Sequence, residues 1–149
     1  MAFRFPLKAL WRVRSIYERR ERQRLEVLTQ RLVYAQKQLA TLRQGQLEHA
    51  GSLAKSLKEG MTGSELQFQV VCLTVCERRI NSAAQVVEDL NKQHELQLAK
   101  YNQARQKKEA IERLYERQLS SFRRTQARRD QQQATDLFLI CNQPANDGQ

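Results

Sequence analysis

Three cysteines and two histidines are the side chains of this chain best suited to bind zinc or to take part in nucleophilic catalysis. Cys72 and Cys76 are four residues apart, which places both on one face of a helix. No histidine and no third cysteine lies within two helical turns of this pair, so a tetrahedral zinc site lacks its remaining ligands. The spacing is also poorly suited to a disulfide within an intact helix. We expect no metal site, and we interpret the pair as small apolar residues of a packing seam.

The histidines have no partners for acid-base or nucleophilic catalysis. His49 and His94 each stand alone, without the serine, cysteine or carboxylate arrangement that would make either one a catalytic base. No glycine-rich phosphate loop occurs in the chain. We therefore predict no enzyme, no catalytic residues and no cofactor. The odd number of cysteines favours a reducing cytoplasm.

The other side chains that could bind a ligand are lysines and arginines, which are concentrated in two segments of the sequence, here called the basic blocks. Residues 1–31 carry nine lysines and arginines against three glutamates, and residues 105–129 carry the same numbers. Each block has a net charge of +6, whereas the 73 residues between them have a net charge of +1. The total formal charge is +10. If the fold brings the two blocks together, their positive charges repel each other unless an acidic or phosphate-bearing partner neutralises them.

The elements that position these blocks are two long helices. No proline occurs between Pro6 and Pro144, and Gly60 and Gly63 form the one closely spaced glycine pair. We predict an all-α fold of two long helices forming an antiparallel coiled-coil hairpin, with the C-terminal helix overhanging. The predicted parts of this single domain (1–149) are a first arm at about 7–58, a turn at about 59–64, a second arm at about 65–138 and a flexible tail at 139–149.

Apolar residues alternate at spacings of three and four in both arms, which is the pattern of knobs-into-holes packing. In the first arm they are Leu25, Leu28, Leu32, Ala35, Leu39 and Leu42. In the second arm they are Leu73, Cys76, Ile80, Ala83, Val87 and Leu90, with His94 as the next member. If the turn lies near residue 61, two residues that face each other across the hairpin have residue numbers that add to about 124. The second arm should then overhang from about 118 to 138, by about 30 Å at 1.5 Å per residue.

This register brings the two basic blocks together at the open end of the hairpin and favours an acidic partner there. Specific nucleic-acid recognition is disfavoured because glutamates are interleaved with the bases and no aromatic stacking platform accompanies them. Binding to an anionic membrane stays open, since Phe3, Phe5 and Trp11 lie beside Arg4 and Lys8. A structural homodimer is a further alternative, although we expect a monomer. The longest apolar run near the C-terminus has five residues, too short to span a membrane.

The turn-proximal part of the second arm is apolar on more sides than a packing seam requires. Its surplus face comprises Phe68, Val71, Cys72 and Val75. One interpretation is a second protein-binding surface. The other is a locally broader core, with Leu57 and Met61 folded over it.

Several motifs resemble the flagellar export protein FliJ. They are 3–7 (FRFPL), 12–14 (RVR) before a charged helix, the turn 60–62 (GMT), and a C-terminal arm at 104–136 that includes 107–109 (KKE) and 111–114 (IERL). The apolar run 137–141 and the basic pair Arg78 and Arg79 depart from the family pattern. The resemblance covers nearly the whole chain.

This resemblance implies a cytoplasmic stalk of the bacterial flagellar type III export apparatus, peripheral on the inner membrane through its partners. The implied partners are the hexameric export ATPase, the transmembrane export gate and export chaperones. A virulence-associated injectisome stalk remains an alternative, because such proteins share the architecture. The expected ATPase-ring contacts are Arg12, Arg14, Arg19, Arg113, Arg117, Arg123 and Arg124. The expected gate or partner contacts are Phe68, Val71, Cys72, Val75, Cys76 and Arg79.

Overall fold

The computed structural model describes residues 3–142 and is all-α over that range. Helix α1 spans Lys8–Glu59 and helix α2 spans Gly63–Cys141, and the two long helices pack against each other. The predicted fold class is therefore confirmed. Helix α2 ends three residues later than expected, so the start of the predicted tail is helical, and residues 143–149 of that tail lie outside the described residues.

The turn between the helices is built from one glycine and one capping box. Gly60 has a positive φ of 103°, which ends α1 in a conformation that glycine adopts without steric cost. The amide of Thr62 donates to Glu65 Oε2 (2.9 Å), and the amide of Glu65 donates to Thr62 Oγ1 (3.3 Å). The hydrogen bond from the main-chain amide of Thr62 to the Glu65 carboxylate, followed by a hydrogen bond from the Thr62 side chain, lowers the pKa of Glu65. The turn is thus specified locally by residues 60–65.

The chain forms two compact units, each containing segments of both helices. The central unit consists of Glu18–Ala104. The terminal unit consists of residues 3–17 and 105–142 within the described range. Each unit is described separately below.

The central unit has a narrow seam in which only a few side chains are buried. Leu39 and Ile80 are the buried apolar residues, and the other predicted seam positions are half-buried. The cross-helix hydrogen bond between Thr29 Oγ1 and His94 Nε2 measures 3.1 Å. Because the Thr29 hydroxyl already donates to the carbonyl of Leu25, its oxygen accepts this bond from His94. The two residue numbers add to 123, close to the predicted register.

A polar layer interrupts this seam and was not expected from the apolar pattern. Glu18, Glu21 and Gln97 are buried, with Glu21 7% and Gln97 8% exposed. The side-chain amide of Gln97 donates to the carbonyl oxygen of Glu21 (3.2 Å) and to its carboxylate. Nearby, the side-chain hydrogen bond to Tyr101, followed by the interaction with Glu18, raises the pKa of Arg22. Polar groups therefore join the two helices at this level.

In the terminal unit, the N-terminal segment and α1 pack on α2 only up to a defined point. Ile111 is buried, and Leu119, Phe122 and Gln126 are half-buried. From Ala127 to Asn142 every residue is exposed, so this length of α2 is a helix without tertiary cover. The predicted overhang is thus present, although it begins later than residue 118. Within residues 3–142, neither helix has a stretch long and apolar enough to cross a membrane.

Candidate partner-binding surfaces

The arginines expected to bind an acidic partner fall mainly in the terminal unit. Six of the seven lie there, and the seventh, Arg19, belongs to the central unit. Arg14 is half-buried and the others are exposed. The six are Arg12, Arg14, Arg113, Arg117, Arg123 and Arg124.

The terminal unit keeps a large excess of positive charge after its internal ion pairs are formed. Arg105 pairs with Glu109 at 2.7 Å, and Lys108 pairs with Glu112 at 3.8 Å. The hydrogen bond from Arg105, more than any other contact, lowers the pKa of Glu109. Residues 3–17 and 105–142 contain thirteen basic and five acidic side chains, a net charge of +8. This surface is therefore suited to an acidic partner.

Aromatic side chains from both ends of the described chain accompany these bases and form a cluster. The ring of Phe3 lies 5.6 Å from that of Tyr115 and 5.5 Å from that of Phe122, and Phe5 lies 5.1 Å from Tyr115. Trp11 Nε1 donates to Glu112 Oε1 (3.4 Å). The rings come from segments about a hundred residues apart, which the predicted register places opposite each other.

The rings do not, however, form a flat stacking surface. Phe5 and Tyr115 meet at 87° and Phe3 and Tyr115 at 68°, both of which are edge-on geometries. These contacts fasten the N-terminal segment to α2. The cluster therefore creates a shaped apolar surface, which differs from the parallel platforms on which nucleic-acid bases stack.

The uncovered end of α2 is basic first and apolar last. Arg123 and Arg124 precede it, and the run 137–140 (LFLI) occupies its final turn, with Phe138 66% and Ile140 67% exposed. Four consecutive apolar residues cover all sides of a helix. This segment therefore presents apolar surface in every direction, unlike an amphipathic helix with a single apolar stripe.

The second expected surface lies wholly in the central unit. Phe68 is 65% and Val71 55% exposed, and Val75 and Arg79 are also exposed. Cys72 and Cys76 are half-buried. Leu57 is exposed and Met61 is half-buried, and these two residues leave Phe68 and Val71 uncovered, contrary to the alternative of a broader core. An apolar face thus stays open beside the turn.

Neither a metal cluster nor a disulfide is found among the described residues. Cys72, Cys76 and Cys141 are free, and no group of three or more potential ligands converges within residues 3–142. His49 Nε2 and Gln69 Oε1 are buried without a hydrogen-bond partner.

Comparison with protein families gives a match over most of the chain. Residues 3–137 match the family described as "Flagellar FliJ protein". Neither the curated proteins nor the solved structures give a match. The matched span contains both expected surfaces and ends at the first residue of the apolar run 137–140.

Proposed function

The chain belongs to the FliJ family of flagellar export proteins, and on this premise we propose that it is a non-enzymatic stalk or adaptor of the bacterial flagellar type III export apparatus. The terminal unit inserts into the central cavity of the hexameric export ATPase. The open apolar face of the central unit binds the transmembrane export gate. Export chaperones are further partners, and the protein lies in the cytoplasm, peripheral to the inner membrane through these contacts.

One observation carries the proposal for the ATPase ring. Helix α2 continues beyond the last residue covered by α1 or the N-terminal segment, and all of its side chains from Ala127 to Asn142 are exposed. A single helix is about 10–12 Å across with its side chains, narrow enough to enter a cavity between subunits. Arginines lie where this helix leaves the packed part of the unit. The shape suits insertion, and the charge suits an acidic cavity wall.

The charge excess also sets how the contact should depend on salt. The expected contacts Arg113, Arg117 and Arg124 are exposed, so their attraction to acidic groups is screened with a Debye length of about 8 Å at physiological ionic strength. They would therefore contribute more to the rate of association and to orientation than to the final affinity. Apolar contacts of the run 137–140 would contribute more to the lifetime of the complex.

The gate contact is supported by the open apolar face beside the turn. Phe68, Val71 and Val75 recur on one face of α2 at spacings of three and four, and all three are exposed. Exposed apolar patches of this kind mark protein-binding sites on soluble proteins. Arg79 follows Val75 on the same face and would add a polar contact at the rim of the patch.

The experiment that tests the proposal measures ring assembly and ATP turnover of the cognate export ATPase. Saturating amounts of this protein should promote hexamer formation and raise turnover. The double variant Arg113→Glu/Arg117→Glu should lose most of this stimulation. The control is Lys37→Glu/Arg43→Glu, which makes the same charge change at exposed sites of the central unit. Unchanged assembly and turnover with the unaltered protein would contradict the proposal.

A salt titration separates this function from a general affinity for polyanions. A basic coiled coil that binds nucleic acid or anionic membrane should bind duplex DNA and anionic vesicles with an affinity that falls steeply with salt. The proposed stalk should instead bind one protein partner far more tightly than either polyanion. Stimulation of an injectisome ATPase in preference to a flagellar one would assign the protein to virulence secretion.

A further inference from the structure

The aromatic cluster of the terminal unit encloses a pocket. Its volume is about 520 Å³, and its walls are Phe3, Phe5, Trp11 and Tyr115, with Lys8, Glu112 and Glu116 at the sides. Pockets of about 300–1,000 Å³ with mainly apolar walls are typical ligand sites. This one is large enough for a bulky apolar side chain. Its aromatic walls are already held in place by edge-on ring contacts, so binding would require little reorganisation.

A second depression shares a wall with this pocket. It has a volume of about 470 Å³ and contains three guanidinium groups and two hydroxyl groups. Its lining residues are Arg113, Glu116, Arg117, Ser120, Ser121 and Arg124. Glu116 lines both depressions and so lies between them. An apolar pocket and a cationic groove therefore adjoin on one surface.

The two depressions select complementary chemical groups. Guanidinium groups bind carboxylates through paired, charge-assisted hydrogen bonds, and serine hydroxyls can donate to the same oxygens. The aromatic pocket favours an apolar group over an anion, because an anion placed there would lose its hydration and would face Glu112 and Glu116. A ligand that fills both must therefore carry an apolar group and a carboxylate side by side.

We propose that these two depressions together bind one segment of an acidic protein partner, with a bulky apolar side chain in the aromatic pocket and a neighbouring carboxylate on Arg113 and Arg117. The charge of the terminal unit makes an acidic partner the favoured occupant. If this partner is the export ATPase, the inference rests on the proposed function and identifies the part of the ring that the unit recognises.

Glu112 and Glu116 argue against a continuous polyanion as the occupant. Both carboxylates line the aromatic pocket, so the evenly spaced phosphates of a nucleic acid would meet negative charge between the cationic positions. Glu112 is held by Trp11 and Lys108, which keeps it at the wall. A protein segment avoids this repulsion because it can place an apolar side chain there. The surface thus favours a mixed apolar and acidic ligand over a uniformly charged one.

Short peptides and the fluorescence of Trp11 test this inference directly. Trp11 is the one tryptophan of the chain and lines the pocket, so its emission reports occupancy. The probe is a peptide of sequence Gly-Phe-Asp-Asp-Gly with blocked ends. Two comparison peptides replace the phenylalanine by alanine or both aspartates by asparagine. We expect the first peptide to bind at least tenfold more tightly than either comparison peptide.

Variants of this protein test which depression binds the phenylalanine and which binds the aspartates of the probe peptide. Arg117→Gln should abolish the preference for aspartate over asparagine while the preference for phenylalanine persists. Phe5→Ala should weaken the preference for phenylalanine, and Arg128→Gln, outside both depressions, should change neither. Equal binding of the alanine peptide, or a larger Trp11 response to duplex DNA or anionic vesicles than to the probe, would overturn the inference.

The outcome can be separated from that of the proposed function. Peptide selectivity without stimulation of the ATPase would leave the two-part site intact and remove the ring as its partner. Stimulation that survives in both Phe5→Ala and Arg117→Gln, with no selectivity among the peptides, would retain the proposed function and overturn the site.

Discussion

The side-chain amide of Gln97 on α2 donates to both the carbonyl oxygen and the carboxylate of Glu21 on α1. Both side chains are buried, and Arg24 also pairs with Glu21 at 2.9 Å. A buried polar pair contributes little net stability, but it can fix the register of a coiled coil because every shifted alignment leaves it unsatisfied. The pair therefore specifies how the two helices of the central unit align.

Replacing one member of this pair should be costly. Gln97→Leu removes the donor and leaves the buried carboxylate of Glu21 poorly satisfied, so we expect a loss of about 1–3 kcal/mol in the free energy of unfolding. Urea denaturation followed by circular dichroism measures this loss. In the double variant Glu21→Leu/Gln97→Leu the loss should be recovered, because no buried polar group stays unpaired. A double variant as unstable as the single one would contradict this account.

The conformation of Gly60 makes a second prediction. Its φ of 103° is strained for any residue with a Cβ, although no atom lies within 4 Å of an added Cβ. Gly60→Ala should therefore destabilise the protein by about 1 kcal/mol or more through backbone strain alone. Gly63→Ala is the matched control, because Gly63 is the first residue of α2 and has equally open space. Thermal denaturation should show the control as stable as the parent or more so.

The capping box predicts a dependence on pH. Because its pKa is lowered in the folded state, Glu65 stabilises the turn above its unfolded pKa of about 4.3, and this contribution is lost as the pH falls through the folded value. Glu65→Gln keeps a hydrogen-bonding side chain but cannot titrate. Urea midpoints at pH 6 and pH 3 should therefore fall less in the variant than in the parent. Equal decreases would show that Glu65 does not contribute.

The open face beside the turn makes a prediction that separates binding from stability. Val71→Asp should change the free energy of unfolding by no more than about 0.5 kcal/mol, since Val71 is exposed and the two residues have similar helix propensity. Under the proposed function it should weaken binding to the cytoplasmic part of the export gate at least tenfold. Asn81→Asp, which introduces a carboxylate at an exposed site on another face of α2, should bind normally. Titration calorimetry compares the three proteins.

The spacing of apolar residues was sufficient to predict the hairpin, because a coiled-coil seam is a local and periodic pattern. Leu39 and Ile80 lie where that pattern placed them, and the pairing of Thr29 with His94 follows the predicted register. The buried Glu21 was missed because charged residues are assigned to solvent unless a partner is known. Its partner lies 76 residues away, and no local pattern joins them.

The two-part site of the terminal unit illustrates the same limit. Phe5 and Tyr115 have no periodic relation in sequence, and they meet only because the helices run antiparallel and the N-terminal segment continues their register. Arg113 and Arg117, by contrast, could be predicted from charge density alone. What sequence could not supply was the shared wall at Glu116, which depends on the positions of side chains from both chain ends.

The lack of tertiary cover at the C-terminal end of α2 affects how tightly that segment can bind a partner. The fifteen helical residues 127–141 extend an already formed helix and need no new nucleus, but without tertiary contacts only propagation stabilises them, so they should fray toward coil without a partner. Whatever binds this segment must supply the free energy that orders it, which lowers the observed affinity and makes release easier. Alanine substitutions at Gln131, Gln132 and Gln133 would then tighten binding without adding a single contact.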